Sequence, residues 1–278
     1  MGNAITNTLG TVALAEAALD QVGNPTPQHL AAARKTLSEL PEIWVKHAHD
    51  LLGARAVIYA LLTDDDNETR QHQRQHVNNL DGLVGKYLDD LLHTPLKKEE
   101  HRLTLLDMSL PQLAEMAPDV RDAFEACLDA LIKADRKVNL FEWSMERIIH
   151  HYLLHQFDTP KPAKPKYRQL KPVAPAVQLL LSVIALAGTQ SEQRETAFRE
   201  GMERAGLKQP MLPTNKLSLD ALNQALDQLK RLYPLAKPSL LKACIATITS
   251  DGEISPRERE LIRAIADSLD CPMPPLQV

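Results

Sequence analysis

The chain has 278 residues, of which 44% are hydrophobic, 24% charged and 4% aromatic, and its formal net charge is −4. This length and composition indicate a folded protein of one large or two small domains, with a core of Leu, Ala, Val and Ile, rather than a disordered chain. Ten glycines are few for a βαβ fold, and neither G-x-G-x-x-G nor G-x-x-x-x-G-K-[ST] occurs, which argues against a nucleotide-binding α/β protein.

Most of the chain has apolar residues spaced three and four positions apart, which is typical of amphipathic helices. No segment alternates with a period of two over a useful length. The predicted helices follow one another over residues 5–19, 27–40, 51–62, 67–80, 83–92, 110–116, 119–133, 176–187, 191–205, 218–232, 238–249 and 255–269. The sequence therefore predicts an all-α protein, either a multi-helix bundle or an irregular helical array.

Export and membrane signals are not evident in the sequence. The start, from Met1 to Val22, has no basic n-region and carries two acidic residues in its apolar stretch, so no secretory signal is expected. The most apolar run, Ala176 to Ala187, is 12 residues long, whereas a bilayer-spanning helix needs about 20. The three widely spaced cysteines fit neither a disulfide framework nor a C-x-x-C metal knuckle and favour a reducing compartment.

Charge divides the chain into two halves. Residues 1–157 carry 15 Lys and Arg against 23 Asp and Glu, a net charge of −8, and they contain all ten histidines; residues 158–278 have a net charge of +4. Residues 158–175 contain five prolines and five basic residues, a composition that predicts an extended connector. We therefore expect an acidic, His-containing helical half over 1–157, a connector over 158–175 and a second helical half over 176–278.

A short internal similarity relates residues 134–142 to residues 250–258 at an offset of 116. In each copy an acid ends one helix, an apolar residue fills the turn, and a polar N-cap is followed three residues later by Glu, the pattern of a capping box. The corresponding pairs are Asp135 and Asp251, Val138 and Ile254, Asn139 and Ser255, and Glu142 and Glu258. The simplest interpretation is helix-turn-helix chemistry used twice.

The second copy and its flanks, residues 245–274, resemble the helical signature of TerB-like domains. The wider arrangement resembles the C-terminal cytoplasmic region of bacterial HtpX-type membrane zinc metallopeptidases, through residues 23–30, 53–62 and 133–143. In such proteins the transmembrane helices and the zinc protease domain precede this region. The resemblance implies a fragment of a larger protein, at the cytoplasmic face of the bacterial inner membrane, that reaches the membrane only through its upstream portion.

The family's catalytic motif, His-Glu-x-x-His, is absent from this chain. Two histidine pairs have the i,i+4 spacing, His72 with His76 and His151 with His155, but neither pair has the intervening Glu. We therefore predict no catalytic residue here and expect zinc and protease activity only in the parent protein. An exposed polar helix face explains the first pair, and favourable interaction with a helix C-terminus explains the second.

Acidic residues of the two similar turns are the best candidates for a cation site. The TerB-like resemblance implies that such acids bind a divalent cation, and carboxylates suit calcium or magnesium. The candidates are Asp251, Glu253, Glu258, Asp135 and Glu142. Helix capping explains Glu142 and Glu258 equally well, the loop does not fit an EF-hand, and the first turn carries Arg136 and Lys137, which would repel a cation.

Basic residues of the connector are candidates for contact with an anionic surface. They are Lys161, Lys164, Lys166, Arg168 and Lys171. Lipid headgroups near a membrane-anchored parent would suit them, while a solvated linker is the simpler interpretation. Nucleic acid is disfavoured because Tyr167 is the single aromatic residue among them and the sequence pI is 6.2.

Two functions follow from these observations. The first is a non-catalytic regulatory or protein-interaction region that binds a protein partner or the parent's own protease domain, in a protein concerned with proteolysis and protein quality control. The alternative is a free-standing TerB-like protein that binds a divalent cation in a stress response.

Overall fold

The computed structural model describes residues 27–134, 138–157, 161–188 and 192–271. These residues form thirteen α-helices and five short 3-10 helices and contain no β-strand, so the all-α prediction is confirmed. Tyr167 and Leu232 make an isolated parallel bridge. The chain divides into two compact units, one formed by residues 31–160 and one that contains residues 161–278.

The first unit is built from eight helices, of which the first begins just before it. They are α1 Pro27–Glu39, α2 Glu42–Ala48, α3 Leu51–Leu62, α4 Asn67–Leu80, α5 Gly82–His93, α6 Arg102–Leu113, α7 Pro118–Ile132 and α8 Leu140–Phe157. Helices α3 and α4 have the predicted bounds. The predicted short helix over 110–116 is wrong, because α6 begins eight residues earlier and buries Leu105 and Leu106 ahead of Leu110; Pro111 is accommodated near its C-terminal end.

Helix α3 is the centre of the first unit. It packs against α2, α5, α6 and α7, and every residue from Gly53 to Leu62 is buried. Asp50 begins the helix by accepting a hydrogen bond from the Gly53 amide at 2.7 Å. At Gly53 a side chain would not fit, since a Cβ there would lie 2.5 Å from the carbonyl oxygen of His47 in α2. A glycine at this position therefore permits the close approach of α2 and α3.

A buried amide ties three helices of the first unit together. Gln73 of α4 is 3% exposed, and its side-chain nitrogen donates to the carbonyls of Leu62 and Leu131 at 3.2 and 3.1 Å. Its side-chain oxygen accepts from the Asp64 amide at 2.8 Å. The Gln73 amide thus holds the polar helix α4 against α3 and α7. Because its nitrogen and its oxygen both have hydrogen-bond partners, the free-energy cost of burying this amide is small.

The second unit contains five helices. They are α9 Ala174–Gly188, α10 Arg194–Arg204, α11 Leu219–Leu229, α12 Lys237–Ile248 and α13 Pro256–Ser268. Helix α9 packs against the other four, and Leu180 and Leu181 are fully buried. Residues 171–188 make an 18-residue helical stretch that is long and apolar enough to cross a membrane by length and composition, and 56% of it is buried in the protein. Its packing is that of a central core helix.

Two local features fix α10 in the second unit. Gly201 brings α10 against α12, since a Cβ there would lie 3.0 Å from the carbonyl oxygen of Ala243. The helix ends in a Schellman motif, in which Gly206 has a φ of +69° and the Leu207 amide donates to the Met202 carbonyl at 2.9 Å. Neighbouring Cys244 of α12 is fully buried.

The predicted connector is extended only in part. Residues 161–166 have no regular structure, and the amide of Lys166 donates to the carbonyl of Arg231 at 2.7 Å. The prediction of an extended chain as far as residue 175 is wrong, because residues 171–173 form a 3-10 helix and α9 begins at Ala174. Prolines fit at these helix starts, because the backbone amides of a first helical turn have no intrahelical acceptor and proline has no amide hydrogen to donate.

Candidate functional site

The second of the two similar turns joins α12 to α13. A 3-10 helix, Thr249–Asp251, leads to Gly252, which has a φ of +88° and so occupies the left-handed region that favours glycine. Ile254 is 5% exposed and fills the turn, as its pattern predicts. Ser255 then begins α13.

Glu258 is a structural cap in this turn. Its carboxylate accepts from the Ser255 amide at 2.8 Å and from the Ser255 hydroxyl at 2.7 Å, while the Glu258 amide donates to the Ser255 hydroxyl at 3.3 Å. This confirms the predicted capping box. Glu258 is 3% exposed and its carboxylate packs on Gly188 of α9; burial raises the pKa of this carboxyl group, and the hydrogen bonds from Ser255 oppose that shift.

The other two acids of this turn lie at the surface. Asp251 and Glu253 are exposed, and the Asp251 carboxylate accepts from the Glu253 amide at 3.1 Å. Within the described part of the chain, these three acids do not bring their ligand atoms within 4.8 Å of one another. A cation at this turn would have to draw on Asp251 and Glu253, with Glu258 retained by α13.

The first turn repeats the cap. The Asn139 amide donates to the Glu142 carboxylate at 2.8 Å, and the Glu142 amide donates to the Asn139 side chain at 3.0 Å, so the second predicted capping box is confirmed as well. Glu142 is 7% exposed. The candidate ligand Asp135 lies outside the described residues.

The histidine pairs occupy exposed or partly exposed helix faces. His72 and His76 are exposed on α4. On α8, the Nδ1 atom of His155 lies 2.8 Å from the carbonyl oxygen of His151, and their rings lie 4.2 Å apart. The pairs share a helix face as the spacing predicts.

The five basic candidates of the connector are all exposed. Two of them lie against aromatic rings: the Lys166 ammonium is 5.2 Å from the centre of the Tyr167 ring, and the Arg168 guanidinium is 5.2 Å from the Tyr233 ring. A hydrogen bond to Gln228 and the Lys166 ammonium lower the pKa of Tyr167.

The structure also contains a cavity that the sequence does not reveal. It lies in the first unit among α3, α4, α5 and α7 and has a volume of about 230 Å³. Its lining is mostly apolar, with a few polar groups. The lining residues are Arg55, Tyr59, Val77, Leu80, Asp81, Val84, Asp119, Val120, Ala123, Phe124 and Cys127.

Arg55 is the positively charged group of this cavity. It is 8% exposed, and one guanidinium nitrogen, Nη2, lies 3.3 Å from Asp81 Oδ2. The other carboxylate oxygen of Asp81 caps α5 by accepting from the amides of Leu83 and Val84 at 3.0 and 3.2 Å. The Nε atom of Arg55 is buried and has no hydrogen-bond partner among the described residues. A buried donor without a partner lowers the stability of the fold.

Tyr59 and Cys127 form the neutral polar part of the cavity. Both side chains line the cavity, and the Tyr59 ring stacks on Phe124 with ring centres 5.5 Å apart. Burial raises the pKa of the Tyr59 phenol and of the Cys127 thiol, so both groups are uncharged at neutral pH. The only sequence signal for this site is Arg55 itself, a charged residue in the middle of an otherwise apolar helix.

Comparison of the chain with protein-family models, with curated proteins and with solved structures finds no match.

Proposed function

We propose that this chain is a non-catalytic regulatory or protein-interaction region of a membrane-bound zinc metallopeptidase of the HtpX type. The observation that carries the proposal is the pair of similar turns. Both have the sequence pattern that resembles TerB-like domains, and both are closed by the same reciprocal cap, Asn139 with Glu142 and Ser255 with Glu258.

The caps favour a role in shaping helical surfaces over a role in chemistry. Two of the five acidic candidates, Glu142 and Glu258, are buried and accept hydrogen bonds from their own N-cap residues. Such carboxylates fix the start of the following helix. The exposed acids Asp251 and Glu253 remain available for contact with a partner or with the parent's protease domain.

In the parent protein, zinc and the His-Glu-x-x-His motif would belong to the upstream protease domain, and this region would recruit substrates or gate the protease at the cytoplasmic face of the inner membrane. The connector residues would then lie near anionic lipid, where each basic residue gains about 1 kcal/mol. The cation-binding alternative would instead use the exposed acids of the second turn.

An immunoblot of fractionated source cells, with antibody raised against this chain, tests the proposal. A band in the membrane fraction much heavier than 31.0 kDa is expected. A soluble band at 31.0 kDa would contradict it and leave the cation-binding alternative. In that case calcium or zinc should raise the melting temperature of the chain, and Asp251→Asn should abolish the shift.

A further inference from the structure

The cavity of the first unit has the size and lining of a binding pocket for one apolar side chain. A dry cavity of about 150 Å³ lined by Leu, Ile and Phe holds a benzene molecule, so a cavity of about 230 Å³ has room for a leucine or phenylalanine side chain. Val77 and Val84 are 1% and 0% exposed and form its inner wall together with Phe124.

An exposed leucine lies at the edge of the cavity. Leu80 lines the cavity and is 54% exposed, and Leu83, three residues further along the chain, is 58% exposed; both belong to the small set of large hydrophobic residues that the described part of the chain exposes. The exposed leucine beside a largely apolar cavity adds apolar surface that a bound side chain would cover.

The charges around the cavity select against an anionic occupant. Arg55 contributes one positive charge, which the ion pair with Asp81 already offsets, and Asp119 adds a second negative charge at the rim. The surrounding residues 31–157 carry 15 Lys and Arg against 21 Asp and Glu. A bound carboxylate or phosphate would therefore meet an excess of negative charge, whereas a cationic group would be attracted.

The cavity also contains a hydrogen-bond donor, and an occupant of the cavity should offer it an uncharged hydrogen-bond acceptor. The buried Nε of Arg55 is a donor with no partner among the described residues, and a main-chain carbonyl of a bound segment would supply the acceptor without adding charge. We propose that this cavity binds a partner protein segment in which a bulky apolar side chain is flanked by lysine or arginine. The proposal rests on the proposed function, since it names the class of partner that the region recruits.

Three matched peptides test this specificity on the full chain. The first is acetyl-Gly-Lys-Leu-Lys-Gly-amide, the second has Glu in place of both Lys, and the third has Ala in place of Leu. Binding is measured from the shifts of backbone amide signals in ¹⁵N-labelled protein. We expect the first peptide to bind at least about tenfold more tightly than the third. Truncating a buried leucine side chain to alanine loses about that much affinity. The second peptide should bind more weakly than the first because of Asp81 and Asp119.

Two variants and a control locate the binding. Ala123→Trp places a large ring at an exposed position of the rim and should reduce the affinity for the first peptide at least about tenfold. Asp119→Asn, also at an exposed position, should reduce the advantage of the basic over the acidic peptide. Leu51→Ser changes an exposed leucine of the same unit that does not line the cavity and should leave binding unchanged.

The proposal is overturned if the acidic peptide binds as tightly as the basic one, if Ala123→Trp leaves binding unchanged, or if no peptide binds at millimolar concentration. These results are separate from the immunoblot. A heavy membrane band without peptide binding would reject the pocket alone, while peptide binding by a soluble chain of 31.0 kDa would reject the protease assignment and keep the pocket.

Discussion

At the scale of single residues, each of the two similar turns uses a glutamate carboxylate as a helix cap. The sequence also presents the same carboxylates as candidate metal ligands. A buried carboxylate that accepts two hydrogen bonds within its own turn is poorly placed to bind an ion. Glu258 accepts from the amide and the hydroxyl of Ser255, and its packing on Gly188 keeps it from solvent. Its role in the fold is therefore to hold α13 against α9.

Replacing the N-cap of α13 should measure this role. Ser255→Ala removes the acceptor of the Glu258 amide and one donor to the buried Glu258 carboxylate, so the free energy of unfolding of the second unit should fall by about 1 to 2 kcal/mol. Urea denaturation followed by circular dichroism gives the change.

The matched control is Ser239→Ala, at an exposed position in the first turn of α12. It should change the unfolding free energy by less than about 0.5 kcal/mol, as surface substitutions usually do. Equal losses in the two variants would show that the cap contributes nothing specific.

At the scale of elements, the packing of the first unit depends on how closely α2 and α3 approach. Gly53→Ala would place a methyl group 2.5 Å from a backbone carbonyl oxygen that cannot rotate away. We expect the unfolding free energy to fall by about 1 to 3 kcal/mol, the usual cost of overpacking. Thermal and urea unfolding of the purified variant provide the measurement.

Gly82→Ala is the control within the same unit. Nothing lies within 4 Å of a Cβ at this position, at the start of α5, and alanine has the better helix propensity. Its unfolding free energy should stay the same or rise. Destabilisation of this variant by as much as Gly53→Ala would mean that the effect is one of glycine replacement in general and not of helix contact.

The sequence predicts elements well where periodicity and caps agree. Helices α3 and α4 have the expected bounds because each begins after an Asp N-cap, Asp50 and Asp66, and carries a regular pattern. The sequence does not predict the start of α6, because this helix follows a 3-10 helix without a side-chain cap and has a proline near its end. Both capping boxes follow from the local sequence, since four consecutive residues suffice to form one.

The cavity could not be predicted in the same way. Its lining residues come from four helices, and only the tertiary fold places Arg55, Asp81 and Asp119 together. Local sequence shows no more than a lone arginine in an apolar helix, which equally describes a residue that extends its charged end into water.

At the scale of the whole molecule, the division into two compact units means that each has a core of its own. Cys127 lies in the core of the first unit at 1% exposure, and Cys244 lies in the core of the second at 0%. Burial raises the pKa of Cys244 to about 12 and also raises that of Cys127, so neither is a reactive thiolate in the folded protein. The third cysteine, Cys271, is partly exposed.

This distribution gives each unit an internal reporter of its own unfolding. In graded urea, a maleimide should label Cys271 first, and it should label Cys127 and Cys244 only as their respective cores open, with the sites read by peptide mass spectrometry. Gly53→Ala should move the labelling midpoint of Cys127 to lower urea and leave that of Cys244 in place. Equal movement of both midpoints would show that the two cores open as one cooperative body.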